Sequence, residues 1–419
     1  MRPKQSALRV FAVAALAASL AACSSHHSSS TAKSRSSAQV PSGNVIKIGI
    51  DLPVSGADAS IGVTTRNGAV MAIEEANKKG VPSGFQIKAD DLDDAVNGVH
   101  SPQQGASNVR TFISDPSVLA MIGPFNSNVA KSQIPLTNEA GLAQVSPSNT
   151  NDGLTKGADA ATLRRNRPDL NTYFRVCTID SRQGQAAAQF ARRLHFNKAY
   201  VIDDNETYGL GLANVFENSF KQAGGTILGH DHITKNQQDF KALLTKIGAS
   251  HPDVIFFGGT TSNGGGLIRK QMFDAGMNNV AYMGGDGISD PEFLKVAGTS
   301  ANGSYYTVAA PNAAALPSAR SFVEAYRKRW GSDVGPYSAS AYTAANVLVA
   351  AIDEAIRANG NKMPTREQVL KNVAATKNME SPIGKVGFDK DGDSTNPILS
   401  LYAVKNGKAV FNGQLNLMI

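Results

Sequence analysis

Two short polar clusters in this chain have the composition to hold an anion. Asn126, Ser127 and Asn128 follow the apolar run Leu119–Ile122, and Ser148, Asn149 and Thr150 follow an apolar run into Pro147. In an open parallel sheet, ligands bind beyond the carboxyl ends of the strands, which is where both clusters fall. The hydroxyls of Ser127 and Thr150, with the free N–H groups and positive dipole end of a helix starting near Ser127, would suit a carboxylate without adding a full charge. Ser, Asn and Thr also cap helices and build turns, so the residues alone leave both readings open.

Other reactive-looking stretches carry less. "DKDGD" suggests a calcium loop, but counting from Asp389 puts Ser394 at the sixth position and Ser400 at the twelfth, where a calcium loop needs Gly and Glu, so a tight turn is expected. "GGTTSNGGG" lacks the Lys-Ser/Thr of a phosphate loop. His230 and His232 alternate on one strand face with no third ligand spaced to complete a metal site, so a solvent face is expected. No metal and no cofactor is expected. There is no Gly-x-Ser-x-Gly elbow and no nucleophile–base pair, which argues against an enzyme.

Positioning the polar clusters falls to a βα repeat. "VIKIGIDLP", "FQIKADDLDD", "VLAMIGPF" and "LAQVSPS" read as strands, alternating with helical stretches that include "TTRNGAVMAIEEANKKG" and "SNVAKSQIPLTNEAG", the latter interrupted by Pro135. Residues 149–171 read as a long polar loop, after which "YFRVCTID" restarts the alternation. Three helical stretches then follow, Ser318–Trp330, Ser338–Asn359 and Thr365–Ala375, before two closing strand segments. A chain of 419 residues exceeds one core, so two α/β units are expected.

The first residues are read separately. "MRPKQSALR" and "VFAVAALAASLAA" form the positive and apolar parts of an export signal, and the apolar part is too short to span a bilayer. Cys23 follows Leu20-Ala21-Ala22, which resembles the bacterial lipobox and predicts lipidation of Cys23. Residues 24–44 are Ser-rich and read as a flexible tether; His26-His27 within it offers at most weak metal binding. The formal charge is +7, and Arg2, Lys4 and Arg9 carry three of it, leaving +4 spread along the rest. No basic stripe with interleaved aromatics is present, so nucleic acid is not expected as a partner.

From Val45 onward the chain resembles the type I periplasmic binding proteins, most of all the branched-chain amino acid (Leu/Ile/Val) substrate-binding proteins of ABC transporters. The resemblance rests on "KIGIDLPVSG", "IGPFNSN", "SPSNTNDGLT", "DDNETYGLGLA", "YMGGDG" and "GKVGFDKDGD" in that order. It implies an α/β fold of two Rossmann-like lobes with parallel-rich sheets flanked by helices, joined by a three-segment hinge. With residues 1–22 read as a lipoprotein signal peptide and 23–43 as a tether, it implies 44–177 with 308–381 as lobe 1, and 178–307 with 382–419 as lobe 2. The expected ligand is an amino acid, bound without reaction. Ser127, Ser148 and Thr150 take the carboxylate positions, Tyr208 an aromatic position in lobe 2, and Asp286 the acid for the ammonium, with Asn126 beside Ser127. Ile61 stands where many members carry a tyrosine in the first loop, and Thr260 where they carry an aromatic. Val96 and Asn126 lie near the places of a cysteine pair found in some members. The α-amino-acid end of the site is therefore better kept than the side-chain end. Expected partners are an ABC permease and, through the lipid, a membrane; the protein is expected to be monomeric in the bacterial cell envelope. Alternatives are a sensor of the same fold that presents its closed form to a signalling partner, and a binder of a small amide.

Overall fold

A computed structural model describes residues 43–416. The expected signal peptide, most of the tether and Cys23 lie outside the described residues. The chain begins with β1 (Val45–Leu52), α1 (Ala59–Lys79) and β2 (Gln86–Asp93), then a small hairpin of β3 (Ala95–Val96) and β4 (Val99–His100). It continues through α2 (Pro102–Ser114), β5 (Val118–Ile122), α3 (Ser127–Ala140), β6 (Ala143–Ser146), α4 (Gly157–Leu163) and β7 (Tyr173–Arg175). Strands β2-β1-β5-β6-β7, in that order, form one all-parallel sheet.

The second half runs α5 (Asp180–Arg193), β8 (Lys198–Asp203), α6 (Thr207–Gln222), β9 (Thr226–His232), α7 (Lys241–Gly248), β10 (Val254–Gly258), α8 (Gly266–Asp274), β11 (Ala281–Gly284), α9 (Pro291–Ala297) and β12 (Ser304–Val308). Helices α10 (Arg320–Trp330), α11 (Ser338–Ala358) and α12 (Arg366–Ala374) follow, then the antiparallel strands β13 (Ile398–Lys405) and β14 (Lys408–Asn416). The second sheet is ordered β14-β13-β12-β11-β10-β8-β9 and is parallel from β12 to β9.

Each sheet is the centre of a lobe. β5 is buried at all five positions, as a strand covered by helices on both faces must be. Helices α11 and α12 return to the first sheet, against β5 and β6, before β13 joins the second. The chain therefore passes between the lobes three times, the three-segment hinge of the expected fold.

Local signals account for most element ends. Ser101 caps α2 ahead of Pro102, Thr365 and Gln368 form a capping box on α12, and Gly141 ends α3 at φ 64°. Three expectations need correction. Helix α1 begins at Ala59, so Ile61 sits in its first turn and not in a loop. Helix α3 runs through Pro135 without interruption, and the expected loop at 149–171 contains α4. The "DKDGD" stretch is a tight turn, closed by an antiparallel bridge between Phe388 and Ser394.

Candidate ligand-binding cleft

The two polar strand ends form one unit. β5 leaves its sheet through Gly123, whose φ of +112° and contact with the Asp51 carbonyl leave no room for a Cβ. Asn126 is the N-cap residue of α3, which makes Ser127 its first helical residue, and both are buried. Ser146 Oγ, at the end of β6, donates to the Pro124 carbonyl at 2.9 Å and accepts from the N–H groups of Ser148 and Asn149 at 3.2 and 3.0 Å. Ser148 Oγ and Asn149 Nδ2 both donate to the Phe125 carbonyl, at 3.1 and 2.7 Å. Part of this polarity is thus turn chemistry. Two groups stand outside these turn bonds: Asn126 Oδ1, buried without a partner in the protein, and the Thr150 hydroxyl, buried beside the Asp180 carboxylate. A buried polar atom such as Asn126 Oδ1 costs about 1–3 kcal/mol if left unpaired.

Arg175 holds this unit from behind. Its fully buried guanidinium donates to the carbonyls of Asn149 and Asn151 at 3.0 and 2.7 Å, to Thr155 Oγ1 at 2.5 Å and to Asp393 at 2.7 Å. Burial works against ionising Asp393, but the Arg175 charge outweighs it and holds that carboxyl below its ordinary range. The "DKDGD" turn therefore supplies the counter-ion for the arginine that fixes the backbone on either side of Thr150.

Facing this unit from the second lobe is Asp286, just beyond β11. Its Oδ1 accepts from Gln183 Nε2 at 2.5 Å and Tyr208 OH at 3.1 Å, and its Oδ2 from Tyr337 OH at 3.0 Å. All three donors are uncharged. Burial raises the Asp286 pKa above the ordinary carboxylate value, and these donors offset it only in part. Asp180, the first residue of α5, is also buried; burial and then the Asp152 charge raise its pKa well above normal, and the Thr150 side chain offsets this only in part.

Contacts across the cleft bring these walls together. Tyr337, just before α11, meets the Phe125 ring edge-on at 5.5 Å while its hydroxyl reaches Asp286. The Asp180 N–H donates to the Thr150 carbonyl at 2.8 Å, and Asn151 Nδ2 to the Thr207 carbonyl at 2.7 Å. At another place along the cleft His100 sits buried between Asp58 Oδ2 and Glu206 Oε2, each at 2.8 Å. Ile61 lies three residues from Asp58, and Thr260 donates its N–H to Asp204, which also accepts from the Glu206 N–H. Both belong to the His100 end. The Thr260 hydroxyl caps its own turn, paired with Ser262 at 3.0 Å.

Contacts thus link the turn holding Asn126, Ser127 and Ser148 through Phe125 and Tyr337 to Asp286 and Tyr208, and Thr150 to Asp180. The structure adds Tyr337, Gln183 and Asp180, which sequence reasoning passed over. Gln183 stands one helical turn after Asp180, a spacing that marks a shared face, whereas Tyr337 had no local mark.

The sequence model of the periplasmic binding proteins matches residues 45–409. The chain belongs to this family. It is 31% identical over 366 residues to the Leu/Ile/Val-binding protein BraC3 of Rhizobium johnstonii, covering 87% of this chain and 93% of that protein. A leucine-binding protein LivK from Thermotoga maritima shares the fold at a TM-score of 0.77 and 28% identity, over 88% of this chain and 99% of that one. LivJ of Streptococcus pneumoniae, a branched-chain amino acid transporter substrate-binding protein solved with isoleucine, matches at 0.74 and 26%, over 88% and 100%. A periplasmic binding protein binds its solute without reaction and is not an enzyme. No helix among the described residues is long and apolar enough to cross a membrane.

Proposed function

We propose that this periplasmic binding protein captures an α-amino acid, branched-chain or closely related, and delivers it to the permease of an ABC importer. The observation that carries this reading is a polarity split across the cleft. Thr150 and the start of α3 at Ser127 offer uncharged donors on one wall, while Asp286 on the other is a buried acid bonded only to neutral donors. A zwitterion with its carboxylate toward Thr150 and Ser127 and its ammonium toward Asp286 satisfies both. We place the crossings between lobes near Cys177–Thr178, Thr307–Val308 and Ser381–Gly384, where the Thr178 N–H bonds the Ala309 carbonyl at 2.9 Å.

Hydrogen bonds to a charged group are worth about 1.5–3 kcal/mol each. Thr150→Ala and Ser127→Ala should each weaken leucine binding by roughly ten- to a hundred-fold, with an unchanged circular dichroism spectrum. Calorimetry with leucine, leucinamide and 4-methylpentanoate separates the two ends of the ligand. Leucinamide binding as tightly as leucine would return the polar clusters to capping alone.

Lipidation of Cys23 and an extracytoplasmic, monomeric protein complete the reading. Cys23→Ser is expected to release folded, ligand-binding protein from the membrane fraction. A serine variant that stays bound through salt washing rules the anchor out.

A further inference from the structure

Strand β9 is an edge strand of the second sheet, and its parallel register with β8 sets Asp203 directly beside His232 and Val201 beside His230. Alternation along β9 puts both imidazoles on one face, and Asp203 at the end of β8 shares it. The third ligand that spacing along β9 could not reveal is therefore supplied by the neighbouring strand. His230 Nε2 and His232 Nδ1 both lie against the same atom, Asp203 Oδ2, at 2.6 and 2.7 Å, and the three candidate donor atoms lie within 4.8 Å of one another.

The surroundings are those of a ligand set. Glu217 Oε2, from α6, meets His230 Nδ1 at 2.8 Å, the carboxylate–imidazole pairing that orients a metal-binding histidine with its other nitrogen toward the ion. Asp203 Oδ1 accepts the Asn205 N–H at 2.7 Å, which fixes the carboxylate and leaves Oδ2 for the histidines. Asp203 is fully buried, while the His232 side chain is 53% exposed and can turn. Tetrahedral bonds of about 2.0–2.2 Å place donors roughly 3.3–3.6 Å apart, so the contacts at 2.6 and 2.7 Å must open by a little under 1 Å, which the half-exposed His232 can follow.

We propose that Asp203, His230 and His232 bind one divalent first-row transition-metal ion of the zinc type, with a coordination position open to solvent. Two imidazoles and a carboxylate favour Zn(II), Co(II), Ni(II) or Cu(II) over Mg(II) or Ca(II). The ion takes the place of the direct contacts between Asp203 and the histidines, and it clasps the edge strand β9 to β8.

The test is calorimetric titration of the full chain with zinc chloride, with cobalt(II) absorption as a second readout of nitrogen ligation. One equivalent should bind, and His232→Ala and His230→Gln should each weaken it at least tenfold while circular dichroism stays unchanged. A His26→Ala/His27→Ala variant should keep that equivalent. Magnesium chloride should not compete. Absence of stoichiometric zinc binding, binding untouched by both strand variants, or binding lost only with the tether pair would overturn the proposal.

Discussion

Asp286→Asn is expected to weaken amino-acid binding by about a hundred-fold or more. The carboxylate is buried and bonded only to neutral donors, Gln183, Tyr208 and Tyr337. Removing one partner of a buried, hydrogen-bonded ion pair costs about 3–5 kcal/mol, since the other charge is left stranded. The substitution also sets a new amide donor against hydroxyl or amide donors. Asp286 and Thr150 stand on opposite walls, so the ligand ammonium gives the shut cleft an affinity that the open one lacks. Ligand-induced compaction in solution scattering should therefore shrink together with the affinity. An Asp286→Asn protein that binds and compacts like its parent would sink the assignment unless Asp180→Asn then abolishes binding.

The same group dictates a pH effect of two signs. Its pKa in the folded protein is raised by burial, so the folded state holds its proton more tightly than the unfolded chain. At this group, ligand-free stability falls as pH rises through that raised value and increases on acidification. Binding the ammonium requires the ionised form, so affinity falls on acidification, and it does so at a higher pH than for an ordinary carboxylate. The Asp286→Asn protein should lack this group's share of both pH dependences, which comparison with the parent by calorimetry and thermal unfolding isolates.

His100→Ala is the second large effect, again about a hundred-fold on the apparent dissociation constant. The imidazole is buried between Asp58 on one wall and Glu206 on the other. Deleting it leaves two largely buried carboxylates facing each other, which favours the open cleft, and affinity falls with the closed fraction. Glu206→Gln, which keeps the shape and the Asp58 pair, should cost less. The tie is not a physiological pH switch. Burial alone would lower the His100 pKa, but the hydrogen bonds and charges of Asp58 and Glu206 outweigh it and raise it to about 10. Its contribution is full below the unfolded value of about 6.5 and is lost only as pH rises through about 10. Asp58 and Glu206 have lowered values, so their share is lost only as pH falls below the ordinary carboxylate range. Between roughly pH 5 and 8 the tie stays charged, so it contributes nothing to a loss of affinity there on acidification. A His100→Ala protein with unchanged affinity and scattering would show that the tie does not support closure.

Several features were legible in the residues because local physics decides them. The β-branched run of β1, the caps of α2 and α12 and the alternation of short strands with helices required the α/β lobes. The polar clusters at the ends of β5 and β6 meet, as expected, because strand ends in a parallel sheet share one edge. Pro135 and the polar stretch at 149–171 misled, since packing of α3 and α4 overrode local propensity. What only the tertiary structure decided are pairings between residues far apart in sequence. Arg175 with Asp393, Tyr337 with Asp286, His100 with Glu206 and Asp203 with the β9 histidines are each set by which strands are neighbours and how the lobes meet. Periodicity reports which face of its own element a residue occupies, not which element that face will meet. Buried charges nevertheless need partners that only such meetings supply.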